Sequence, residues 1–155
     1  MPNLLSLFFP SPADNTWRGP RLPFYLLILT AAIGSVRSLI HIFAPDGGAG
    51  SIAGMDLAVA GAGGIIFAFA LWGSEQLLFA LLQWVVILRY RSLVPLMWAF
   101  ELLEILGRML VGRLKPVAFA HVPPGEVGNY VFLALSLLML GLIVWRGGEA
   151  AGRLR

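Results

Sequence analysis

Five formally charged side chains interrupt otherwise apolar stretches of this 155-residue sequence: Arg37, Glu75, Glu101, Glu104 and Arg108. Arginine supplies a fixed fork of donors that suits phosphate or carboxylate. Glutamate beside it supplies a counter-ion or a proton-binding group. His41 adds a side chain whose ordinary titration falls near neutral pH. Together these types suit the binding of a lipid headgroup or small amphipathic ligand. Their spacing groups them: Thr30, Gly34, Arg37 and His41 share one helical face, and so do Glu101, Glu104 and Arg108 at i, i+3 and i+7.

A charge at the centre of a membrane helix costs about 2.5–3.5 kcal/mol. Five of them facing lipid would therefore cost on the order of 12–17 kcal/mol, comparable to the stability of a whole domain. Both polar faces are expected to turn inward, with Arg37 against Glu75 and Arg108 against Glu104 as the natural pairs. Two arginines and three glutamates leave one surplus negative charge, which a proton on a carboxylate or on His41 would remove. Glu101, the deepest, is the expected holder. Closed ion pairs that only fix helix register are the alternative for the same residues.

The elements that must position these groups follow from composition. The chain is 59% hydrophobic and 12% charged, against roughly 25% charged in soluble proteins. Too few polar residues remain for a solvated shell, so the expected fold is an all-α transmembrane helix bundle. The net charge of +3 does not suggest nucleic acid, because the basic residues flank apolar segments instead of forming a basic face. Without cysteine, thiolate metal sites and disulfides are excluded. The leader is too short in its apolar stretch for a signal peptide, and neither a preceding basic residue nor a small-residue cleavage site accompanies it.

Residues 1–21 read as a cytoplasmic or interfacial arm, kept irregular by Pro10, Pro12 and Pro20, with Leu4, Leu5, Phe8 and Phe9 on the headgroups and Trp17 as an anchor. Residues 22–146 read as the bundle and 147–155 as a cytoplasmic tail. Spans are expected at Phe24–Phe43, Leu57–Leu88, Leu93–Gly112 and Asn129–Trp145, with Asp56 capping the second. The second is long and interrupted at Trp72–Gln76, so it is either one helix kinked near Gly73, giving four crossings, or a hairpin giving five. Four crossings place seven basic residues (Arg18, Arg21, Arg89, Arg91, Arg146, Arg153 and Arg155) on the cytoplasmic side, against Arg113 and Lys115 outside. Five crossings give only five against four, so four are preferred, with both termini cytoplasmic. At 1.5 Å rise per residue, Arg37, Glu75, Glu104 and Arg108 then lie ~20–26 Å from the cytoplasmic basic residues. All fall in the outer half of the bilayer, with the loop of His121 and Glu126 above them.

Ala60, Gly64 and Ala68 recur every four residues and form a small-residue stripe that allows close helix approach. Packing within the chain is the first expectation for it, and self-association or another membrane subunit the second. Gln83 reads as a hydrogen-bonding residue between helices. No metal-ligand spacing joins His41 and His121, Gly61–Gly64 lacks the lysine of a phosphate loop, and no nucleophile motif appears. Neither cofactor nor metal is expected, and an enzyme is the less favoured class.

The stretch from Arg89 to Asn129, RYRSLVPLMWAFELLEILGRMLVGRLKP followed by HVPPGEVGN, resembles small bacterial multi-spanning inner-membrane proteins of unknown function, loosely similar to DoxX-like four-helix families. The resemblance covers about a quarter of the chain. It implies a four-helix inner-membrane bundle with a role for Glu104, Arg108 and Lys115, and it brings no activity or cofactor. Three functions remain open: a charged pocket for a headgroup or amphipathic ligand, a structural or accessory subunit of a larger membrane complex, and a proton-coupled transporter.

Overall fold

Proline and glycine divide the chain into its helices. The computed structural model describes the backbone of residues 4–152 and the side chains of 5–146. Its elements are α1 (Leu4–Phe8), α2 (Arg21–Phe43), α3 (Ala62–Arg89), a 3-10 turn (Arg91–Leu93), α4 (Val94–Leu114) and α5 (Pro124–Gly152), with no strand among the described residues. α2 carries Pro23 in its first turn, where the missing N–H leaves no bond unmade, and stops at Ala44, whose extended backbone leads into Pro45. α4 likewise has Pro95 in its first turn, and Pro124 opens α5.

Three helices are long and apolar enough to cross a membrane: Arg21–Phe43, Ala62–Arg89 and the Pro124–Arg146 part of α5. The chain is a helical membrane protein on that evidence. α4 is 21 residues long but carries Glu101, Glu104, Arg108 and Arg113, and these charges set it apart from the other three.

Two expectations about α3 change. The helix runs without interruption through Trp72–Gln76, so the hairpin that five crossings required is absent. It also begins later than expected. Asp56 Oδ1 accepts the Ala58 N–H at 2.8 Å and closes a local turn instead of capping a helix. Gly61, at φ 90°, then supplies the left-handed backbone from which α3 starts.

α2 and α3 form one antiparallel hairpin, and α4 and α5 a second. The first is tight because glycine faces its seam. A Cβ added at Gly73 would stand 2.7 Å from His41 Cβ and 3.1 Å from the Ser38 carbonyl oxygen, both on α2. Trp84 Nε1 donates to Ser35 Oγ across the same seam at 3.1 Å. The hairpins join in an apolar core of Leu27 and Ala31 from α2, Val86 and Ile87 from α3, Val94, Met97 and Trp98 from α4, and Met139 and Ile143 from α5. Trp98 is fully buried there, and its indole N–H donates to the Pro23 carbonyl at 3.0 Å, so its one polar atom is satisfied.

The N-terminal arm, irregular from Phe9 to Pro20 as expected and helical only over α1, folds onto this end. Leu7 and Trp17 pack against the core, while Leu5 and Phe9 stay exposed. Ser92 holds the arm by accepting the Asp14 N–H and donating to the Asp14 carbonyl, each at 2.9 Å. Beside it the Arg18 guanidinium pairs with the Asp14 carboxylate at 2.6 Å and holds its pKa below the usual carboxylate range. At the opposite end the two long loops meet: the Ala120 N–H donates to the Gly54 carbonyl at 2.9 Å. Leu4's side chain and Arg153 and Arg155 lie outside the described residues, and α5 continues into the expected tail as far as Gly152.

Candidate functional site

The polar face of α2 does turn inward. His41 is 4% exposed, and both its ring nitrogens are engaged. Nδ1 lies 2.7 Å from the Gly47 carbonyl oxygen, and Nε2 lies 3.3 Å from Arg37 Nε. A carbonyl only accepts and a guanidinium only donates, so this pattern assigns the ring proton to Nδ1 and the lone pair to Nε2. Trp72 of α3 lies against the imidazole, ring centroids 5.1 Å apart, and Phe69 meets its edge at 5.7 Å. The Arg37 guanidinium sits over the Trp72 ring, 4.8 Å from the centroid, a cation–π geometry.

The loop after α2 is built to deliver the Gly47 carbonyl. Gly47 and Gly48 take positive φ (60° and 77°), which side-chain-bearing residues rarely adopt. Asp46 locks the turn by accepting the Ser51 N–H at 2.6 Å and the Gly48 N–H at 2.8 Å. These backbone donors hold its pKa down to about 2.

α4 supplies the second half of the cluster. Arg108 pairs with Glu104 at 2.9 Å one turn away, with both side chains largely covered. Arg37 stands within electrostatic reach of both residues. α5 closes the junction: a Cβ on Gly125 would lie 3.4 Å from Arg37 Nη2, and one turn further along the same face stands Asn129. Arg108 lies six residues before the end of α4 and Asn129 five after the start of α5, which puts them at similar depth in the antiparallel hairpin. Arg108 Nε and Asn129 Oδ1 are both buried and without a hydrogen-bond partner among the described residues. The junction therefore has one donor and one acceptor to spare.

Deeper in the bundle, Glu101 is 9% exposed and accepts a hydrogen bond from Gln83 Nε2 of α3 at 2.8 Å. Gln83 thus acts between helices as its sequence position suggested. Ser136 on α5 is fully buried, yet its hydroxyl has no partner among the described residues. The membrane-helix hydroxyls of Thr30, Ser35, Ser38 and Ser74 all return to their own backbone.

Four of the six residues singled out from the sequence gather at the junction, Arg37 with His41 and Arg108 with Glu104, while Glu101 turns inward deeper in the bundle onto Gln83. Glu75 does not. Gly73 must face α2, because only a glycine fits there, and Glu75 lies two residues on. At 3.6 residues per turn that is about 200° around the helix, on the opposite side. The expected Arg37–Glu75 pair is absent among the described residues, and Glu75 is exposed. With Glu75 outside, the inward charges are two arginines and two glutamates, of which Arg108 pairs with Glu104 and Glu101 accepts from Gln83. The small-residue stripe is corrected too: Ala60, Gly64 and Ala68 are exposed, and nothing lies within 4 Å of a Cβ added at Gly64.

The loops do not cap the site as expected either. His121 Nε2 lies 3.3 Å from the Ile52 carbonyl, and an open cleft of about 580 Å³ separates this loop pair, with Asp56 and His121 its polar lining. Gly125, not His121, approaches Arg37. The sequence reading missed Trp72, Gly125 and Asn129. Trp72 carried one usable signal, an aromatic immediately before a helix-interior glycine. Among the described residues no group of three or more His, Asp or Glu could hold a metal ion. No family model matches the chain, and no curated protein or solved structure is similar to it.

Proposed function

We propose that this chain binds an anionic group, belonging to a lipid headgroup or a small amphipathic ligand, at the junction of α2, α4 and α5. The observation that carries the reading is the state of Arg37. Its guanidinium sits over the Trp72 ring and donates its Nε–H to His41 Nε2. Among the described residues no carboxylate lies within ion-pair distance of it. A half-buried cation with two terminal nitrogens free to donate is suited to an oxyanion. Arg108, by contrast, is neutralised by Glu104. The spare Nε–H of Arg108 is a further donor at the same depth, and the Asn129 Oδ1, an acceptor, suits a hydroxyl or ammonium on the same ligand.

The reading includes four crossings, with α4 as the fourth. Its three inward charges are paired or hydrogen-bonded, which removes most of the objection to a membrane location. The architecture would then be that of the DoxX-like four-helix families. Basic residues gather at the end bearing the N-terminal arm and the Arg91–Leu93 turn, so that end faces the cytoplasm of a bacterial inner membrane.

Mass spectrometry of the protein released from native membrane by mild detergent tests the proposal. Wild type should retain an anionic species, and Arg37→Gln should lose it while keeping its helical content. Loss of a charge-assisted contact of about 1.5–3 kcal/mol corresponds to binding weakened roughly ten- to hundredfold. Retention of the same species by both proteins, or by neither, would overturn the reading.

A further inference from the structure

Glu75 is the one acidic side chain within α2 or α3, and up to Arg146 α5 has only Glu126, in its first turn; Glu75 points away from the bundle. It stands at the middle of a 28-residue helix, ~20 Å from either end at 1.5 Å per residue. No tilt of α3 brings it to the aqueous surface while the helix still spans. A carboxylate there opposite acyl chains alone is strongly disfavoured. Neither cation at its depth within the chain reaches it: Arg108 is paired with Glu104, and Arg37 lies on the other side of the helix, over Trp72 and beside His41.

The surface around Glu75 has the form of a helix contact. Gly64, Ala68, Leu71, Glu75, Leu78, Leu82 and Val85 follow steps of four and three along α3, and all are exposed. That spacing is the seam of a left-handed helix pair, with small residues at one end where two backbones can come close. A second copy does not satisfy this face. Because Glu75 is at the helix midpoint, pairing α3 with its own copy, parallel or antiparallel, sets carboxylate against carboxylate. The other exposed cations among the described residues, Arg18, Arg21, Arg89, Arg113, Lys115 and Arg146, lie at helix ends or outside the helices.

We propose that the Gly64–Val85 face of α3 is the docking surface for a membrane-spanning helix of a different polypeptide, one that presents a Lys or Arg at mid-depth to Glu75. The anion site and this surface lie on opposite sides of α3, so the two proposals stand or fall separately.

The test places a photo-crosslinking amino acid at Leu71 or at Leu78, the turns flanking Glu75 on the same face, in cells expressing the full chain. Both positions should give an adduct with another polypeptide, and digestion should place the linked peptide in an apolar segment containing Lys or Arg. Glu75→Leu should lower the yield roughly tenfold or more. Glu75→Lys combined with Glu at the partner's basic position should restore it. Because Glu75 is exposed and has no ion pair among the described residues, Glu75→Leu should leave the unfolding midpoint of the purified protein in place. Adducts only with a second copy or with lipid, no adduct at either position, yields indifferent to Glu75→Leu, or failure of the charge swap would each overturn the proposal.

Discussion

The two hairpins solve the problem of helix contact differently. Between α2 and α3 the contact is steric: Gly34 meets Ala80, Gly73 lies on the α2 backbone, and Trp84 reaches Ser35. Ser35, Ser38, His41 and Trp84 along that seam all find hydrogen-bond partners in the same hairpin. Between α4 and α5 the glycines Gly107, Gly112 and Gly141 look into open space, and the buried atoms without partners, Arg108 Nε, Asn129 Oδ1 and Ser136 Oγ, all belong to these two helices. One hairpin is closed by fit. The other holds polar capacity that its own residues do not use. A half whose seam is satisfied thus stands beside a half with unspent donors and acceptors.

The largest effect should come from attacking the fit. Gly73→Val forces a branched side chain into the His41 backbone region and should destabilise the protein by about 3 kcal/mol. Gly141→Val, facing open space, should change stability by no more than about 0.5 kcal/mol. Equilibrium unfolding in mixed micelles measures both, and equal losses would erase the contrast between the hairpins.

A smaller effect should mark the bond that ties them together. Glu101→Leu leaves the Gln83 amide buried without its acceptor and should cost about 1–3 kcal/mol, whereas Gln83→Leu with Glu101→Leu should recover much of the loss. Additive losses in that double-mutant cycle would mean that the 2.8 Å bond does not couple the hairpins.

The smallest effect belongs to the loop that presents Gly47 to His41. The Asp46 carboxyl is held at about 2, below its ordinary 3.8, so its contribution is complete above roughly pH 4 and declines as pH falls toward 2. Thermal unfolding of wild type and Asp46→Asn should differ by a constant few degrees above pH 4 and converge near pH 2. A difference that widened on acidification would reverse the sign and refute the assignment.

Much of this was legible in the residues themselves. Apolar length located α2 and α4 to within a few residues, whereas α3 starts late, because Asp56 closes a turn that mimics a cap, and α5 starts five residues early and runs on to Gly152. Glu101, Glu104 and Arg108 were legible as one inward face because α4 alternates strongly between polar and apolar sides. Gln83 was legible because an amide in an apolar helix needs a partner. Glu75 was not. Apart from Ser74, Glu75, Gln76 and Gln83, α3 is apolar or glycine all round between Ala62 and Leu88, and such a helix carries no periodic signal for which side faces in.

By itself the sequence determined that the chain is helical, that lipid covers much of it, and that charges on α2 and α4 must find polar company. Those conclusions follow from transfer energies and helical spacing, which act residue by residue. Only the tertiary structure decided how α3 is rotated about its own axis. That angle is set by contact: Gly73 admits the α2 backbone, and Trp72 stacks on Arg37 and His41. Once those two positions are fixed, Glu75 has no choice but to face outward.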